Sequence, residues 1–181
     1  MNWLDEVKNR IKRKNQILFA QNSEFLSDLT ALIHEQNHRM MVLWAFEFAE
    51  ETVQKLHERY PNEKRLEAAV MFSKAWAAGK VIMPVAQRAI LQAHAVAKEI
   101  ESPEDIALCH AIGQACGVVH ATGHAMGFPI YELTAIIRHY GVPECKEAVE
   151  ERKEQYIERI YYWREHYKDY PYEWADFMMA D

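Results

Sequence analysis

Cysteine is scarce in this sequence. The 181 residues hold three, Cys109, Cys116 and Cys145, an odd number with no C-x-x-C pair. That favours reduced thiols over a disulfide framework and fits a cytoplasmic protein. Glycine and proline are also few, six of each, and the prolines fall at punctuation points. Long apolar runs are missing: no stretch approaches the ~20 residues of a membrane span. The basic start MNWLDEVKNRIKRKNQ is followed by neither an apolar stretch nor a small-residue cleavage site, so it does not read as a signal peptide. No G-x-x-x-x-G-K-[ST] or G-x-S-x-G occurs. A di-iron site needs Glu-x-x-His twice, but His38 has Glu35 three residues before it while His57 has Gln54. Positive charge is in deficit, 21 Lys+Arg against 27 Asp+Glu, so no global basic field recruits nucleic acid. Only the head, KNRIKRK, offers phosphate a contact.

What the chain does have is enough apolar residue for a core. Half of it is hydrophobic and 27% is charged, which excludes disorder and suits one sizeable domain over residues 1–181. Almost every segment carries helical periodicity and almost none alternates as a strand would. The expectation is an all-α, single-domain bundle of seven or eight helices. Helical spacing covers residues 3–20, then Phe25 to Tyr60 with a break near Gln36-Asn37 and a stop at Tyr60-Pro61. Further helices are expected over Glu63–Ala78, stopped by Gly79, and from Pro84 to about Glu99. Ser102-Pro103-Glu104-Asp105 is the clearest start signal, opening a helix expected to reach Met126. Ile130–Tyr140, closed by Gly141, and Glu144 to about Lys168 complete the set, before the aromatic tail DYPYEWADFMMAD.

The stretch A-C-G-V-V-H-A-T-G-H-A-M-G, from Ala115, holds the candidate chemistry. On one helix, His120 and His124 at i, i+4 would share a face, as a metal requires. Ala121 stands where the zinc-protease motif needs Glu, and Cys109, Cys116 and the histidines strung along one helix cannot converge on one ion. No metal and no cofactor is expected. Gly113, Gly117, Gly123 and Gly127 speak more clearly: interior helical glycine costs about 1 kcal/mol relative to Ala, so this helix needs close approach by something. The simplest partner is another helix, and the sharper alternative is a ligand. His94, also flanked by small residues in Q-A-H-A-V-A-K, would then face His120 and His124 across a polar helix crossing or a pocket that includes Cys116. Arg65, three helical turns from Trp76, reads as a structural ion-pair member, with Glu47, Glu50 or Glu51 as partners, or as an anion contact.

The C-terminal stretch is acidic and aromatic. Residues 144–181 hold 11 Asp+Glu against 6 Lys+Arg, and nine of the chain's 21 aromatics fall there. Tyr161, Tyr162, Trp163, Tyr167 and Trp174 suit a contact with a basic partner, or else fold back over the bundle.

Four segments in order carry a resemblance: H-R-M-M-V-L-W-A-F-E-F-A-E-E-T-V, N-E-K-R-L-E-A-A-V-M-F-S-K-A-W-A-A-G, A-I-L-Q-A-H-A-V-A-K and A-I-G-Q-A-C-G-V-V-H-A-T-G-H-A-M-G-F-P-I-Y-E-L-T-A-I. Together, over about residues 38–138, they resemble the immunity protein five-like family of bacterial polymorphic toxin systems. In that family the arginine at position 65 is usually preceded by Asp and followed by Pro, whereas here Lys64 and Leu66 flank it. The resemblance implies an all-helical, non-enzymatic cytoplasmic protein that binds and neutralises a cognate toxin, and it brings no catalytic residues. The second reading is a small-ligand or metal-binding protein with its pocket around His94, His120 and His124. Exposed amphipathic helices also allow a homodimer.

Overall fold

The computed structural model describes residues 2–180, and among them every regular element is helical. Eight α-helices follow one another: α1 (Trp3–Lys12), α2 (Ser27–His34), α3 (His38–Arg59), α4 (Arg65–Ala77), α5 (Met83–Val96), α6 (Pro103–Gly117), α7 (Gly127–Tyr140) and α8 (Lys146–His166). Short 3-10 turns at Glu24–Leu26, Thr122–His124 and Asp176–Met179 join or follow them. The all-α bundle expected from periodicity is what forms.

Local chemistry sets most of the ends. The Asn37 side chain accepts from the Arg39 backbone N–H at 2.9 Å to open α3, and the Ser102 side chain accepts from Asp105 N–H at 3.3 Å, with Pro103 as first residue, to open α6. Gly141, at φ 76°, closes α7 by donating its N–H to Ile137 O at 2.8 Å, a conformation that costs a side chain but not glycine.

The core gathers around α3, whose residues Met40 to Phe46 are all buried. A helical stretch apolar on every side sits inside a bundle, and α4, α6 and α8 pack against α3. Trp44, Phe48, Phe128 and Tyr156 meet at its centre, with edge-on ring contacts of 5.1 Å between Trp44 and Phe48 and between Phe48 and Tyr156.

Two expected helices end early. The first stops at Lys12 rather than near residue 20, because Lys14 takes a left-handed φ of 57° and the chain beyond is tied down in irregular form. Leu18 N–H donates to Thr134 Oγ1 at 3.0 Å, and Glu6 accepts from Ala20 N–H and Ser23 Oγ at 2.9 and 2.6 Å. The helix expected to run from Ser102 to Met126 breaks at Gly117. Val118 and Val119 turn into the core, Ala121 is extended (φ −156°, ψ 136°), and a new helix begins at Gly127. His38 Nε2 lies 2.6 Å from Val118 O, satisfying a carbonyl that the broken helix leaves free.

Candidate functional site

The break after Gly117 decides the geometry of the histidines. His120 and His124 are not stacked on one helix face. His120 lies in the turn and His124 ends the 3-10 segment, with ring centroids 6.4 Å apart and planes inclined by 57°. Both side chains are solvent-accessible, and both border a cavity of about 270 Å³. His94, from α5, lines the same cavity, as do Gly113, Gln114 and Gly117 from α6. Trp76 supplies a further wall, its indole 6.3 Å from the His120 ring and near-parallel to it at 27°.

The glycines explain how the imidazoles fit. A Cβ on Gly113 would overlap the His94 ring, and one on Gly117 would come within 3.2 Å of His124 Cγ. Close approach to α6 is therefore made by histidine side chains, more than by the backbone of a crossing helix. Gly127 makes room for the Gln114 side chain, whose Cγ would lie 2.7 Å from an added Cβ. Gly123 was expected to pack closely and does not: nothing lies within 4 Å of a Cβ placed there, because the 3-10 segment carries it to the surface.

His94 is also held from behind. Its Nδ1 lies 2.8 Å from Nδ1 of His110, so one ring donates the shared proton and the other accepts it. Burial lowers the pKa of both, and the neighbouring His110 lowers that of His94 further. His110 went unnoticed in the sequence. It lies sixteen residues from His94, and only the packing of α5 on α6 brings the two together.

Cys116 does not join this cavity. It is fully buried on the core side of α6, where burial pushes its thiol up to about 12, so neither a thiolate ligand nor a nucleophile is presented. Among the described residues no three His, Cys, Asp or Glu side chains are grouped to hold a metal ion.

Arg65 stands apart as well. It donates to Glu63, with Nε to Oε1 at 2.9 Å, and pairs with Glu99 rather than with Glu47, Glu50 or Glu51. The hydrogen bonds it donates to these two carboxylates raise its pKa. The expected partners are engaged elsewhere: Glu47 with Arg159, Glu50 with Lys74 and Glu51 with Arg152.

The acidic aromatic segment divides in two. Trp163 is buried, its indole N–H donating to Glu47 Oε2 at 2.7 Å, so it holds α8 to α3 and is no free contact residue. Tyr167 and Trp174 are half-buried, Trp174 against Tyr172 at 4.6 Å. Tyr161 and Tyr162 remain exposed. Beyond α8 the tail folds back as a strap along α4. Ala175 N–H donates to Ala77 O at 2.8 Å, the Tyr172 hydroxyl donates to Lys74 O, Met178 is buried, and Phe177 stacks on Trp76 at 5.7 Å. The outer face of α8 keeps the negative charge. Glu144 precedes the helix, and Glu147, Glu151, Glu154, Glu158, Tyr161 and Glu165 continue at alternating intervals of three and four residues, all exposed.

A second polar centre was not read from sequence. Glu132 on α7 is 1% exposed, and it accepts from Tyr156 Oη at 2.5 Å and from Arg152 Nε at 2.7 Å. Arg152 Nη2 reaches its other oxygen at 3.1 Å, and Thr52 Oγ1 lies 3.4 Å from that oxygen. The acid stands among the apolar residues of α7, and its partners come from α3 and α8, so no local pattern announces it. A cleft of about 340 Å³ opens beside it, lined by Arg59, Glu104, His139, Glu151 and other residues. Arg59, Glu104, His139 and Arg152 are already paired: Arg59 with Asp105, Glu104 with His139 at 3.0 Å, Arg152 with Glu132.

Compared with known families, the chain matches the model described as "Imm-5 like putative immunity protein" over residues 31–159. The chain belongs to this family. A search of curated proteins and of solved structures finds no match. The stretch shared with the Imm-5-like family runs from α2 to within α8, so it contains the histidine cavity, the Glu132 centre and most of the acidic stripe. Helix α1 and the strap lie outside it. Among the described residues no helix is long and apolar enough to cross a membrane.

Proposed function

We propose that this protein is a non-enzymatic cytoplasmic immunity protein that binds a cognate toxin and blocks it by occupancy. Membership of the Imm-5-like family over residues 31–159 carries the reading. The charge pattern supports the surface assigned to it. The stripe Glu147, Glu151, Glu154, Glu158 and Glu165, with Tyr161 among the acids, offers a basic partner complementary charge and an aromatic anchor. A binding role is in keeping with the two clustered polar centres. Glu132 is buried and fully engaged, and the histidine cavity holds no carboxylate to orient a base and no nucleophile.

The test takes as its toxin any toxin-domain protein whose gene adjoins this one. Co-expression with the full chain is expected to restore growth, and the purified proteins are expected to form a complex that weakens with salt. Removing residues 144–181 is no test, because Val149, Tyr156, Ile160 and Trp163 of α8 are core residues. The informative variant replaces Glu151, Glu154 and Glu158 by Lys on the exposed face; its folded stability is expected to hold while affinity drops by about a hundredfold, a loss typical of opposing like charges at an interface. Unchanged affinity would move the contact elsewhere, and no complex at all would overturn the immunity reading.

A further inference from the structure

The cavity bordered by α4, α5 and α6 stands out by what lines it. In a chain with 48 charged residues, 21 basic and 27 acidic, none of the eleven that line it is Asp, Glu, Lys or Arg. Met83, Ile90 and Leu91 give it an apolar side, and Trp76 with His120 gives it two near-parallel rings. Its polar groups are idle: the side chains of Gln87, Gln114, His120 and His124 make no hydrogen bond to any described residue, although each has donors or acceptors to offer. Met83 and Leu91 at its mouth are 43% and 61% exposed, a cost in water that a bound apolar group would remove. The imidazoles are not loose. Gly113 and Gly117 seat His94 and His124, and His110 holds His94 by its other face.

We infer that this cavity binds one small, flat, uncharged heteroaromatic molecule, its ring against the apolar side formed by Met83, Ile90 and Leu91 beside Trp76 and its ring nitrogens hydrogen-bonded by His120, His124 and Gln114. A ring fits because one side of the site is apolar and aromatic while the other offers both donors and acceptors, which is what a nitrogen heterocycle needs. An ionic ligand would enter without a counter-charge. At about 270 Å³ the space corresponds to roughly nine waters of ~30 Å³ each, room for a single bicyclic ring. The inference is independent of toxin binding, since it concerns a different surface from the α8 stripe.

The experiment titrates benzimidazole into the full-length, 15N-labelled chain and follows the Trp76 indole and the His120 and His124 ring signals. Saturable one-to-one shifts at these groups are expected, with a Kd of about 1 mM for so small a probe. Benzoate (a charged ring) and cyclohexanol (uncharged but not aromatic) are expected to bind about tenfold more weakly. The variant Met83→Asp/Leu91→Asp changes exposed positions only and is expected to keep its melting transition while losing about tenfold in benzimidazole affinity. No saturable shift at the cavity, equal binding of the two comparison compounds, or undiminished binding by a folded variant would each overturn the inference.

Discussion

The Glu132 centre and the histidine cavity are both polar, and they differ in what their polar groups are doing. Around Glu132 both oxygens are engaged by Arg152, with Tyr156 joining at 2.5 Å, and the whole is sunk between three helices. In the cavity, His120, His124 and Gln114 make no side-chain hydrogen bond to any described residue, and His120 and His124 stand open to solvent. A buried charge must be fully paired to be tolerated at all, so the first arrangement belongs to the fold. Groups at a surface need not be paired, and where they converge on a shaped space they are available to a visitor.

The contrast can be broken most forcefully at Glu132. Replacing it with Ala leaves the Arg152 guanidinium and the Tyr156 hydroxyl buried without their shared carboxylate, with only the exposed Glu51 still paired to Arg152, and a loss of about 3 kcal/mol in denaturant-unfolding stability is expected. His120→Ala, by comparison, should leave unfolding stability within about 0.5 kcal/mol, because no protein partner is orphaned.

A smaller effect is expected at the glycines. Gly113→Ala should cost about 1–2 kcal/mol, since displacing the His94 ring outweighs the gain in helix propensity of about 1 kcal/mol. Gly123→Ala, with open space around it, should stay within about 0.5 kcal/mol of the parent, and thermal melts of the pair give the comparison.

The His94–His110 pair adds a pH signature. Burial lowers both pKa values in the folded chain, so the unfolded chain takes up protons first as pH falls below about 6.5. The stability tied to keeping these rings neutral is therefore present above that pH and declines below it. Unfolding curves between pH 7 and pH 5 should show a shallower decline for His94→Asn/His110→Asn than for the parent; identical slopes would mean the pair contributes nothing to it.

The smallest effect is expected in the strap. Phe177→Ala removes one ring from the face of Trp76 at a site already 45% exposed, costing about 0.5–1 kcal/mol in thermal stability.

Helix starts and stops were legible wherever the deciding atoms lie close in sequence, as with Ser102 capping Asp105 and Gly141 closing on Ile137. The break after Gly117 was not, because its cause is distant: His38 reaches across 80 residues to Val118 O, and the two valines are drawn into the core. Arg65 shows both cases, for Glu63 is two residues away and Glu99 is thirty-four. Trp163 reads as a surface aromatic until Glu47, 116 residues earlier, is placed beside its indole N–H. The histidines themselves were found, but their arrangement depended on a helix that ends where local pattern continues it.

The hydrogen bond from Ala175 N–H to Ala77 O ties the strap to the last residue of α4 and pins it beside Trp76. Deuterium uptake at that single amide therefore times how often the strap lifts, and each lifting briefly wets the indole face that Phe177 covers, on a residue that also lines the cavity. One backbone proton thus serves as a clock for the cavity's outer wall.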